Sequence, residues 1–211
     1  MENKYGSDIL RLLNGFVPAA AICTIPAFLI WLDTAVFGLD CEELGIVEIT
    51  QALVLLAIVV LNSILIKIAK PFRGGLILVT GFFTTLLIRE QDAFLDKICH
   101  GFWLVPALIA TATAFFFAWR YRWTIRDGLM NIRNNHHFPA LTLGLFLLLG
   151  FSRVFGNKAI WKTICTSEHL PAKHAAEEGT ELMAYSILMY WAICYFLDIS
   201  KQYGFVKRTD A

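Results

Sequence analysis

Glu90, Asp92, Glu178 and Glu181 are carboxylates set in stretches otherwise rich in leucine, isoleucine and phenylalanine. Carboxyl groups gathered in apolar surroundings can work as general acid and base, one protonated and one ionised. These four form the candidate catalytic set. Arg89 and Arg153 can grip a phosphate or carboxylate through paired N–H bonds. With Gln51 and Tyr185 they form the candidate substrate-binding set. Glu48, Asp92, Asp96, Glu177 and His100 offer oxygen and imidazole ligands, the candidate metal set. Their carboxylates suit a divalent cation such as Mg²⁺ or Ca²⁺, whereas His100, His169 and His174 would suit zinc. The chain has no HExxH, P-loop, GxSxG or CxxC pattern.

Spacing places these residues on shared helix faces. Glu48 and Gln51 stand at i, i+3, and Asn62 returns near the same face. Arg89, Asp92 and Asp96 fall at i, i+3, i+7, and His100 extends that stripe if the helix runs so far. Glu178, Glu181 and Tyr185 repeat the pattern. Residues so spaced stack on one side of a helix.

The elements that position them must be membrane helices. Of 211 residues, 57% are hydrophobic and only 17% charged, with mean hydropathy +0.61. A soluble domain of this size has too much surface to hide that apolar content. A soluble enzyme, a disordered regulator and a secreted disulfide scaffold are excluded, and a net charge of +1 excludes a nucleic-acid-binding module. A span needs about 20 mostly apolar residues. Six stretches qualify, at 12–32, 46–66, 74–94, 101–119, 138–155 and 179–197. The fold expected is an all-α, six-helix polytopic bundle forming a single membrane domain. The first stretch lacks a signal-peptide cleavage pattern and reads as a retained helix. The third spans only if it continues through Arg89, Glu90 and Asp92.

Twelve of the 18 Lys and Arg residues fall in the two tails and the second and fourth connections. Basic residues are retained on the cytoplasmic side, so both termini are expected there, in a bacterial plasma membrane. Twelve of the 17 acidic residues segregate to the opposite side. Acids contribute little to topology, so that skew has another cause. Helical rise places Arg89 and Arg153 about 22 Å above the inner edge, Gln51 and Glu181 about 24–25 Å, and Glu48 about 28 Å. Four helices therefore bring ionisable groups to one depth, and the cost of exposing charge to lipid turns them inward. Arg89 with Glu181, or Arg153 with Asp92, are the pairs expected if the set only fixes helix register.

Seven acids, Glu48, Glu90, Asp92, Asp96, Glu177, Glu178 and Glu181, face four bases, Arg89, Arg153, Lys158 and Lys173. Some carboxyls keep their protons, or a bound cation supplies the missing charge. The expected function is an outward-facing pocket at headgroup depth that binds or modifies a lipid, by cation-dependent hydrolysis or transfer, with membrane lipids as partners. The alternatives are a proton- or cation-coupled transporter and a structural subunit with a salt-bridged core. Transport needs polar lining toward the cytoplasm, where Asn62, Ser63, Thr84 and Thr85 are the candidates. Cys23 and Cys194 read as core residues. Cys41, Cys99 and Cys165 lie toward the outer face, where one disulfide is allowed. His136 and His137 read as loop residues.

Overall fold

The computed structural model describes residues 2–36, 45–164 and 169–204, with only the backbone course at 2–14, 164 and 169–171. Cys41, Cys165 and the His169 side chain lie outside these limits. The described residues form helices and turns. Helix α1 (Glu2–Trp31) runs into a π-helical turn (Leu32–Val36), followed by α2 (Ile46–Ile68) and α3 (Arg73–Arg89). A single-turn α4 (Asp92–Leu95) precedes α5 (Leu104–Arg120) and α6 (Ile125–Asn134). Helix α7 (Phe138–Phe146) passes through a π turn (Leu147–Phe151) into α8 (Ser152–Phe155). Helices α9 (Lys158–Ile164) and α10 (His169–Gln202) are the last of the described elements.

Among the described residues, five helical stretches are long and apolar enough to cross a membrane, and six if the bent α5–α6 pair is counted as one. The residues exposed around them include Phe115, Phe116, Phe146 and Leu108. Such a belt is costly in water and favourable against lipid, and an α-helix satisfies its own backbone there. The protein is membrane-embedded, with α10 at its centre. Half of the α10 span is buried, against 6% of the α1 span. Leu55, Ile58, Leu65, Phe83, Leu188 and Trp191 belong to one core cluster, and Trp191 stacks between Phe83 and Tyr195. The Asp33 carboxylate, fully buried at the end of α1, accepts from the backbone N–H groups of Ile46 and Val47 at 3.1 and 3.4 Å. It thereby caps the start of α2 from a different helix.

Four expected spans change at their ends, the first by starting at Glu2 and running on through the π turn to Val36. The third was expected to run to residue 94, but α3 stops at Arg89 and the chain turns at Glu90–Gln91. Asp92 and Asp96 then bond backbone N–H groups locally, at Ala93 (2.7 Å) and Gly101 (2.9 Å). Such side-chain bonds offer the backbone an alternative to helix. Gly101, at φ +78°, supplies the left-handed turn that follows. The fourth helix begins at Leu104, not 101, and beyond Arg120 the axis bends by 89° into the amphipathic α6. The last helix extends well past the expected 179–197 at both ends.

Helix α6 lies across one end of the bundle. Gly75 and Gly128 let it approach α3 so closely that a Cβ on Gly75 would stand 2.8 Å from Gly128 Cα. Tyr195 donates to Asn131 and Asn135 to Asp198, tying α6 and the turn after it to α10. This is the basic end, carrying Arg73, Arg120, Arg122, Arg126 and Arg133. The other is the acidic end, where α2 and α10 begin and α3 and α8 finish.

Candidate functional site

Two carboxylate-centred clusters form at the acidic end. In the first, Glu90 Oε1 accepts from Arg89 at 3.0 Å and from the Tyr185 hydroxyl at 2.7 Å. The α3 turn makes this possible: ending the helix at Arg89 lets Glu90 fold toward α10. In the second, Glu181 Oε1 accepts from Arg153 at 2.9 Å and lies 3.2 Å from the Ser152 hydroxyl, which also bonds Leu148 O. The π turn ahead of Ser152 inserts an extra residue and rotates α8, so that Ser152 and Arg153 meet α10.

The clusters are electrostatically continuous. Glu181 interacts with Glu90, Arg153 and Arg89. Glu178 interacts with Glu181, Glu90 and Glu48, and its Oε2 accepts from the Gln51 amide at 2.9 Å. Gln51 and Tyr185 are fully buried and Glu181 nearly so, while Arg89 and Arg153 keep part of their side chains exposed. The Gln51 Oε1 and Arg89 Nε atoms have no hydrogen-bond partner among the described residues. The structure brings Gln51 of α2 to Glu178 of α10, and places Glu181 and Tyr185 of α10 in the two clusters. The ion pairs differ from those expected: Arg89 takes Glu90, and Arg153 takes Glu181.

Other candidates lie apart. Asp92 is exposed on α4, outside the clusters that join Glu90, Glu178 and Glu181. Asp96 pairs with the exposed His100 ring at 3.1 Å. Glu177 is bound by Lys173 one turn earlier on α10, with its carboxylate against Gly156. The expected metal set of Glu48, Asp92, Asp96, Glu177 and His100 is therefore dispersed. Among the described residues no three His, Cys, Asp or Glu side chains are arranged to hold a metal ion.

Two polar contributors escaped the sequence reading. Ser152 carried no signal, because one serine in an apolar helix is commonplace. Asp33 sat alone at the end of a span, and its partners lie 13 and 14 residues away. An intramembrane acid is itself a signal, and Asp33 could have been found on that ground.

A cleft of about 380 Å³ opens between α2 and the α3–α4 junction. Glu48, Glu90 and Gln91 supply its polar lining, and Ile49, Leu53, Leu56, Leu87 and Phe94 its apolar walls. Toward the basic end the interior closes over Leu55, Ile58 and Leu188. Of the candidate path residues, Thr84, Thr85 and the Asn62 amide nitrogen bond carbonyls of their own helices, while the buried Asn62 Oδ1 has no partner among the described residues. Asn62 Nδ2 donates to Ile58 O, Thr84 to Thr80 O and Thr85 to Gly81 O. Cys23, Cys99 and Cys194 are free thiols. His137 packs edge-on against Tyr190.

Comparison with protein-family models, with curated proteins and with solved structures gave no match. The functional reading rests on this geometry.

Proposed function

We propose that the protein binds an amphiphile in the outer leaflet, with the polar head between Glu48 and Glu90 and the hydrocarbon along Leu53 and Leu56. The observation that carries this reading is the cleft itself, polar at one end and apolar along its walls. The arginines were first expected to hold an anionic head. Arg89 and Arg153 are instead engaged by Glu90 and Glu181, and the lining facing the cleft is acidic. That lining favours a head carrying an amine. In this reading the acidic end faces outward and the basic end the cytoplasm of a bacterial plasma membrane, as the Lys and Arg distribution supports.

The test is native mass spectrometry of the full chain in detergent, titrated with phosphatidylethanolamine. Leu53→Trp fills the cleft and Glu90→Gln removes one charge. Both variants should bind the lipid at least about fivefold more weakly, which corresponds to about 1 kcal/mol. Unchanged binding in both would sink the reading.

A second reading, a salt-bridged core without a ligand, is favoured by the pairing of both arginines. It expects the Arg153→Met/Glu181→Leu double variant to fold as well as the native chain, as buried pairs elsewhere allow. It also expects the cleft variants to be silent. Transport has less support, because the core below the clusters is built mainly from Leu55, Ile58 and Leu188, with Asn62 as the buried polar side chain of α2 there.

A further inference from the structure

A second lipid-sized recess lies at the other end of the molecule, between α3 and α5. It is an open groove of about 480 Å³ that includes Ile77, Thr80 and Thr84 on one side and Ala110, Thr113 and Phe117 on the other. Ile66 and Tyr121 complete its lining toward the basic end. The helices touch where Gly81 meets Ala114 and diverge enough elsewhere to leave the space. Ala110 to Tyr121 is 11 residues of nearly continuous helix, a trough about 16 Å long.

Its walls are apolar despite three threonines. The hydroxyls of Thr80, Thr84 and Thr113 each bond a carbonyl four residues back in their own helix, at 2.7–2.8 Å. With those hydroxyls tied to the backbone, the threonine side chains contribute little unsatisfied polarity to the groove.

The mouth is cationic. Arg73 Nε donates to the carbonyl of Ile66 at 2.9 Å, and its guanidinium lies 5.8 Å from the centre of the Tyr121 ring. Both of those residues line the groove, so the guanidinium is held at its basic end. Its terminal nitrogens make no hydrogen bond or ion pair with another described residue. Arg73 also opens α3, whose helix N-terminus adds partial positive charge. Arg122, next to Tyr121 in the chain, stacks over Trp123 and Trp119.

We propose that this groove is a docking site for an anionic phospholipid of the leaflet at the basic end, with its phosphate on Arg73 and one acyl chain between α3 and α5. Charge complementarity selects that occupant: the mouth offers fixed positive charge and a pair of guanidinium donors with no partner among the described residues, and the trough below offers only hydrocarbon. The site is separate from the acidic cleft and does not depend on what that cleft binds.

The experiment titrates the detergent-purified full chain with phosphatidylglycerol and with phosphatidylcholine of the same acyl chains, read by native mass spectrometry. Phosphatidylglycerol should bind at least about fivefold more tightly, the factor expected for one basic residue at a headgroup. Arg73→Gln should abolish the preference and Arg73→Lys should keep most of it. Thr113→Trp, on the exposed groove wall, should weaken both lipids. Inorganic phosphate in large excess should displace neither. Equal binding of the two lipids, or an Arg73→Gln variant that keeps the preference, overturns the proposal, as does displacement by phosphate. Should Arg73→Gln fail to fold, unchanged phosphatidylglycerol binding by Thr113→Trp overturns it instead.

Discussion

Arg153 and Glu181 meet at 2.9 Å from different helices, the arginine half exposed and the carboxylate buried. The pair clamps α8 to α10 immediately after the π turn. Without Arg153, the buried carboxylate keeps the Ser152 hydroxyl as its hydrogen-bond partner among the described residues, with the Arg89 charge farther off. A buried acceptor left short of partners costs about 1–3 kcal/mol. Arg153→Ala should therefore lower the thermal midpoint in detergent more than Arg153→Ala/Glu181→Leu does. A double variant less stable than the single one would contradict this account.

Asp33 should prove a stability determinant although it bonds backbone groups of α2 and not the side chains of either cluster. Its two oxygens cap the first N–H groups of α2. Loss of an N-terminal cap costs about 0.5–2 kcal/mol. Asp33→Ala is expected to destabilise within that range, and Asp33→Asn, which keeps one acceptor, by less. Hydrogen exchange at Ile46 and Val47 should rise in the alanine variant.

Tyr185→Phe removes the 2.7 Å bond to Glu90 and nothing else in the packed core. The expected loss is about 1 kcal/mol of stability. Because Glu90 also lines the cleft, phosphatidylethanolamine affinity should shift in the same variant. A stability change without a change in affinity would separate Tyr185 from the site.

Close approach of α3 and α6 makes Gly75 intolerant. A methyl group there meets Gly128 backbone at 2.8 Å and cannot be relieved by a rotamer change. Gly75→Ala should destabilise by about 1–3 kcal/mol, the usual range for overpacking. Gly15, with nothing within 4 Å of an added Cβ, is the control. There the same change should be neutral or stabilising by about 0.5–1 kcal/mol, since alanine is the better helix former. Thermal unfolding of both variants side by side decides the point.

What the chain determines by itself is whatever helical geometry and hydrophobicity impose locally. Apolar runs long enough to span a bilayer require no partner to be recognised. The placement of Glu178, Glu181 and Tyr185 on one face of α10 follows from 3.6 residues per turn alone. The gathering of acids toward one end was equally legible, because rise per residue converts position into depth.

Tertiary structure decided where helices stop and which charges pair. Glu90 finds Tyr185 across 95 residues, and that contact accompanies the end of α3 at Arg89. The same turn leaves Asp92 and Asp96 to local backbone bonds, so a stripe that periodicity alone extended to His100 never forms. The π turn that delivers Ser152 and Arg153, the bend after Arg120 and the Asp33 cap have the same origin. Each depends on groups distant in the chain or on a break in helical regularity. Periodicity carries no information about either, because it describes a helix in isolation and not the neighbour that interrupts it.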